Sequence, residues 1–140
     1  MESQKLTPKA KAKQKDLLIV DDSIPVRKIL MNALAYLKLP VDKILEAGDG
    51  TEALTLLEAY PVGLVLTDIN MPNMNGIELL RAVRASPQWH DIPVVVISAE
   101  GGEGSVQDAI ELGANSFILK PFNIAVLRRL EFFLPNRNAV

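Results

Sequence analysis

Four short runs of adjacent apolar residues recur along the chain: Leu17-Leu18-Ile19-Val20, Leu64-Val65-Leu66, Val94-Val95-Val96-Ile97 and Phe117-Ile118-Leu119. They are continuous rather than alternating, the pattern of strands buried on both faces, and they predict a parallel sheet. Lys43-Ile44-Leu45-Glu46 is more polar and fits an edge strand. Between the first two runs, Val26, Ile29, Leu30, Ala33 and Leu37 follow the 3.6-residue period of an amphipathic helix. Pro25 sits just inside its start, behind Asp22 and Ser23 as candidate caps. Further helical patterns cover about residues 52–59, 76–85, 106–112 and 124–134. All nine prolines fall in connections or at the first residue of an element, so none contradicts the assignment.

Five strands alternating strictly with five helices require right-handed crossovers and helices on both faces. The expected fold is α/β, a doubly wound, five-stranded parallel sheet of order 2-1-3-4-5, as in flavodoxin-like domains, with its crevice at the carboxyl ends of strands one and three. With 140 residues, 49% hydrophobic and 23% charged, the chain suits one core. The expected organisation is a lysine-rich flexible leader at 1–15, one domain at 16–135 and a short tail at 136–140.

Composition then removes whole classes of chemistry. The absence of cysteine excludes disulfides, thiolate catalysis and Cys-based metal sites. A single histidine, His90, makes a Ser-His-Asp triad or a multi-histidine metal site hard to build. No apolar run approaches the roughly 20 residues that cross a bilayer, and the first fifteen residues lack a signal peptide's apolar core, so membrane insertion and export are not expected. The net charge of −2 divides unevenly: five lysines against Glu2 give the leader +4 and leave −6 to the remainder. An acidic body argues against nucleic acid as a partner.

The polar residues at the ends of the apolar runs are the most informative feature. Strand one ends in Asp21-Asp22, strand three in Thr67-Asp68, strand four in Ser98 and strand five in Lys120. In a parallel sheet these ends share one edge, so three carboxylates, a hydroxyl and an ammonium converge there. Each residue alone reads as a helix cap, a turn residue or a solvated charge. Together they need charge compensation, which Lys120 or a hard divalent cation bound by oxygen, Mg²⁺ for choice, can supply. Such a cluster suits phosphoryl transfer, with one carboxylate as nucleophile and the others holding metal.

These residues resemble the receiver domain of two-component response regulators. The likeness covers about residues 16–135 and rests on four motifs in order: Leu18-Ile19-Val20-Asp21-Asp22-Ser23, Asp68-Ile69-Asn70-Met71-Pro72-Asn73-Met74-Asn75-Gly76, Ser98-Ala99-Glu100 and Lys120-Pro121-Phe122. The resemblance implies that Asp68 accepts a phosphoryl group from a phosphohistidine on a histidine kinase or histidine phosphotransfer protein. It implies Mg²⁺ ligation by Asp22, Asp68 and the Asn70 main-chain carbonyl, with Asp21 assisting mainly through water and Lys120 contacting the phosphoryl oxygens. Ser98 and Phe117 would form the switch that remodels the face of helix four, strand five and helix five. Asn70 and Glu100 would tune dephosphorylation, and Lys120-Pro121 would be cis.

The departures are Ser98 where threonine is common, Phe117 where tyrosine is common and Asn75 where an acid is frequent. A glycine-rich stretch, Gly101-Gly102-Glu103-Gly104, is expected to make the connection to helix four mobile. The motifs are most similar to single-domain chemotaxis regulators that bind a flagellar motor-switch component, although phosphorelay and twitching-motility receivers share much of the pattern. The expected protein is cytoplasmic, monomeric and not an enzyme acting on external substrates. A Mg²⁺-dependent phosphohydrolase is a weaker alternative because Asp68-Ile69-Asn70 lacks a second acid two residues on. A phosphorylation-independent scaffold is another.

Overall fold

The computed structural model describes residues 14–99 and 103–135. The strands are β1 (Asp16–Val20), β2 (Ile44–Ala47), β3 (Val62–Thr67), β4 (Val94–Ser98) and β5 (Ser116–Leu119). The helices are α1 (Ile24–Leu37), α2 (Gly50–Ala59), α3 (Gly76–Ala85), α4 (Glu103–Glu111) and α5 (Ile124–Leu127), followed by a 3₁₀ helix at Arg128–Phe133. The sheet order is β2-β1-β3-β4-β5, and every pairing is parallel. This is the doubly wound 2-1-3-4-5 sheet expected from the sequence. The leader and the tail, apart from Gln14 and Lys15, lie outside the described residues, as do Glu100, Gly101 and Gly102.

The period of two along each strand sorts the core into layers. Leu17, Ile19, Leu64, Leu66, Val95 and Ile97 pack with Leu30 and Leu34 of α1 and Leu127 of α5. Leu18, Val20, Val65 and Val94 face the other way, against Ala53 and Leu57 of α2 and Leu79, Leu80 and Val83 of α3. Val96 meets Ala109 of α4, with Ile69 and Phe117 beside them. Strands one, three and four are thus covered on both sides, which is why their sequences are continuously apolar.

Three differences from the sequence pattern have physical causes, and a fourth concerns the start of α4. Ile29, expected in the buried stripe of α1, is 57% exposed, whereas Leu34 is 1% exposed. Val26, Leu30, Ala33, Leu34 and Leu37 bracket the true stripe, and Ile29 lies about 80° from its centre at 100° per residue. Helix α2 begins two residues before the expected start because Asp49 caps it, accepting from the Glu52 amide. The last helix tightens into a 3₁₀ turn, and the buried Leu127 and Leu130 with half-buried Phe133 recur every third residue, matching its three residues per turn. Helix α4 starts at Glu103, ahead of the expected Val106, and Gly104 falls inside it.

At the edge away from the carboxylates, Trp89 packs half-buried against the α2–α3 layer, and exposed His90 pairs with Asp91 at 3.1 Å. Nearby, Arg84 at the end of α3 spends its guanidinium on backbone carbonyls: Ile92 at 2.7 Å, His90 at 3.2 Å and Gly113 at 2.8 and 3.1 Å. It also reaches Asn115 Oδ1, which accepts from the Val94 amide. One side chain thereby ties the connection before β4 to the turn before β5. Replacing Arg84 with methionine keeps the stem and strands these acceptors, and is expected to lower stability by about 2 kcal/mol in urea unfolding.

Candidate functional site

Register brings the site together. Val20 lies opposite both Ala47 and Thr67, and Thr67 lies opposite Val96. The ladder then runs one residue further: the Asp21 amide donates to Ala47 O at 3.0 Å, Asp68 to Val20 O at 2.8 Å and Lys120 to Ser98 O at 3.0 Å. Asp21, Asp68 and Lys120 are therefore held by sheet-like hydrogen bonds at the carboxyl edge, and the Lys120–Pro121 peptide is cis.

The acids differ in exposure. Asp21 is 1% and Asp68 8% exposed, whereas Asp22 opens to solvent. Ligand-capable oxygens of all three lie within 4.8 Å of one another. Asp21 Oδ1 accepts from the Ser23 amide at 2.9 Å and its Oδ2 from Lys120 Nζ at 2.9 Å. Lys120 stands 3.6 Å from Asp68 Oδ2, and Asp68 Oδ1 accepts from the Ile69 amide at 2.8 Å. Ser98, almost fully buried, stands beside Asp68 and favours its charged form. Phe117 is half-buried behind Ser98's strand, in contact with the Val96 cluster. Asn70 is exposed, and Glu100 falls outside the described residues.

Burial pushes the Asp68 carboxyl above the usual carboxylate range. The Ile69 amide and Lys120 oppose that shift, and the Asp21 charge adds to it. Because the folded value is raised, the fold favours protonated Asp68. The resulting stability is present below the unfolded value of about 3.9 and is lost as pH rises through the folded one. Asp68→Asn, which removes that charge, is expected to raise the urea midpoint at pH 7 in EDTA, with the gain shrinking toward pH 3. An equal or lower midpoint at pH 7 would contradict this.

The sequence did not single out several residues that shape the site. Gly76 lets the β3–α3 loop fold back on Asp68, for a Cβ there would stand 1.9 Å from the Asp68 carbonyl oxygen. Thr67 Oγ1 donates to that same oxygen at 2.8 Å. Arg27 donates to the Asp21 carbonyl and to Glu46 at 3.0 Å, linking α1 to the edge strand. Asp49 reaches the β3–α3 loop through Asn73 at 2.8 Å. The Asp49-Gly50-Thr51-Glu52 sequence carried a legible cap signal, an acid followed three residues later by glutamate; the tie to Asn73 had none. Asn75 caps α3 with a complete capping box to Glu78, so asparagine serves that position as aspartate would. Met71 and Met74 pack on the α2–α3 layer.

The sheet order, with acids and a lysine gathered at its carboxyl edge, defines the class to which the chain belongs. The response regulator receiver domain matches residues 17–130, and the chain belongs to that family. Within the family its similarity runs to chemotaxis response regulators. A chemotaxis protein CheY homolog of Campylobacter jejuni is 43% identical over 113 residues, 80% of this chain and 85% of that protein. The crystal structure of Vibrio cholerae CheY4 superposes with a TM-score of 0.77 at 30% identity, covering 86% of this chain and 99% of that one. CheY in the CheX–CheY–BeF₃–Mg²⁺ complex of Borrelia burgdorferi has a TM-score of 0.76 at 33% identity, covering 87% and 90% of the two chains. No described helix is long and apolar enough to cross a membrane.

Proposed function

We propose that the chain is a phosphorylation switch in which Asp68 takes a phosphoryl group from a phosphohistidine of a histidine kinase or histidine phosphotransfer protein. The supporting observation is the buried Asp68 carboxylate, flanked by Lys120 and Ser98 and grouped with Asp21 and Asp22. The Ile69 amide fixes Oδ1 and leaves Oδ2, on the Lys120 side, as the attacking atom. The Oδ2–P bond forms as the P–N bond breaks, and the departing imidazole keeps its electron pair. An all-oxygen set of three carboxylates suits Mg²⁺, with Asp22, Asp68 and the Asn70 carbonyl as the ligands and Asp21 assisting through water. Bound there, Mg²⁺ would neutralise charge shared by the carboxylates and the phosphoryl oxygens.

After transfer, Lys120 pairs with one phosphoryl oxygen and the Ser98 hydroxyl moves to another. Phe117, half-buried against the cluster that holds buried Ala109 of α4, turns into the space so released, and the α4–β5–α5 face changes for a downstream protein. We further propose a chemotaxis role in the cytoplasm, with a flagellar motor-switch component downstream, Asn70 and Glu100 setting the lifetime of the signal, and no turnover of external substrates. The test is the ¹H–¹⁵N spectrum of the protein with Mg²⁺ and beryllofluoride. Shifts at Ser98, Ala99, Phe117 and Lys120 are expected in wild type and absent in Asp68→Asn; a spectrum unchanged in wild type would overturn the switch.

A further inference from the structure

The stretch that carries Asn70 is held from outside by a helix that contributes nothing to the acid cluster. Asp49, 6% exposed, divides its two carboxylate oxygens between two tasks. Oδ1 serves its own helix, accepting from Thr51 Oγ1 at 2.6 Å and from the Glu52 amide at 2.9 Å. Oδ2 serves the loop, accepting from Asn73 Nδ2 at 2.8 Å. These donors hold the Asp49 carboxyl down at about 2, so it is charged throughout the physiological range.

The contact has a matched backbone. Asn73 takes a left-handed φ of 65°, which asparagine tolerates better than most residues. Beside it, the Gly50 amide donates to Met74 O at 2.9 Å. A Cβ on Gly50 would fall 2.5 Å from Met74 Cγ, so the helix start and the loop seat directly on one another. The loop is then closed on itself by Met74 N to Pro72 O at 2.7 Å and Gly76 N to Ile69 O at 2.8 Å.

We propose that Asp49 is a positioning residue for the cation site, acting through Asn73 to hold the loop in one conformation so that the Asn70 carbonyl meets the cation already ordered. This rests on the reading of the acid cluster as a Mg²⁺ site. A loop that must be ordered at the moment of binding takes that entropy out of the affinity. Residues that orient a ligand typically change metal affinity by about 10- to 100-fold when removed.

The division of labour between the two oxygens supplies the test. Mg²⁺ is titrated, without phosphodonor, against amide shifts of Asp22 and Asn70 in wild type, Asn73→Gly, Thr51→Val, Asp49→Ala and the Asp49→Ala/Asn73→Gly double variant. Glycine keeps the left-handed backbone and removes only the loop tie; valine removes only a cap contact. Asn73→Gly is expected to weaken binding about tenfold and Thr51→Val to leave it within about twofold, with the double variant no weaker than Asp49→Ala alone. Equal affinity in Asn73→Gly and wild type, equal weakening by Thr51→Val, or additive losses in the double variant would each overturn the proposal. Absence of Mg²⁺ binding by wild type would instead overturn the cation-site reading itself, and the proposal with it.

Discussion

Gly76→Ala is expected to destabilise the protein by about 3 kcal/mol, at the upper end of overpacking substitutions. Conformation is not the cause. The added Cβ would stand 1.9 Å from the Asp68 carbonyl oxygen and 2.9 Å from both Asp68 C and Ile69 Cα, all of them main-chain atoms that cannot swing aside. Relief requires moving either the start of α3 or the residue after β3. The first breaks the 2.8 Å bond from the Gly76 amide to Ile69 O, and the second displaces Asp68 itself. Urea unfolding should therefore report the loss, and phosphoryl incorporation at Asp68 should slow as well. Gly48→Ala is the control: its Cβ would meet the Glu52 carboxylate tip at 3.3 Å, a flexible group that can yield. A Gly76→Ala loss below about 1 kcal/mol would contradict the packing argument.

Lys120→Met should separate two roles of the same ammonium. Methionine keeps an unbranched stem but leaves Asp21, 1% exposed, without its 2.9 Å partner and Asp68 without its nearest cation. Three carboxylates then share the edge with one compensating charge fewer, so Mg²⁺ is expected to bind more tightly than to wild type. Phosphoryl transfer is expected to slow by about 100-fold, the usual cost of losing one preorganised donor to a charge-rich transition state. Mg²⁺ should restore the stability lost with Lys120 by binding the folded state alone, yet leave the rate low. Measuring unfolding midpoints and phosphorylation rates across a Mg²⁺ titration checks both. Wild-type rates in Lys120→Met would remove lysine from the chemistry.

The residues legible in the sequence share a property: their neighbours are fixed by strand order alone. Once Leu17–Val20 and Leu64–Leu66 are read as parallel strands, Asp21 and Asp68 must lie side by side, because successive strand ends share an edge. Ser98 and Lys120 follow by the same rule. Asp49 and Asn73 are 24 residues apart on a helix start and a loop, and their contact depends on how α2 seats against the β3–α3 connection, which no periodicity encodes. Arg84 reaches Gly113 across 29 residues for the same kind of reason. Ile29 shows the limit of periodicity itself, since an apolar residue at the rim of a stripe fits the pattern and still faces water.

On the proposed function, Asp68 is the phosphoacceptor of a Mg²⁺-assisted reaction. Intact mass spectrometry after incubation with acetyl phosphate, with and without Mg²⁺, on wild type and Asp68→Asn, tests it most directly. One added phosphoryl group is expected in wild type with Mg²⁺, with little or none in EDTA or in Asp68→Asn. Equal incorporation in Asp68→Asn, or incorporation indifferent to Mg²⁺, would contradict it.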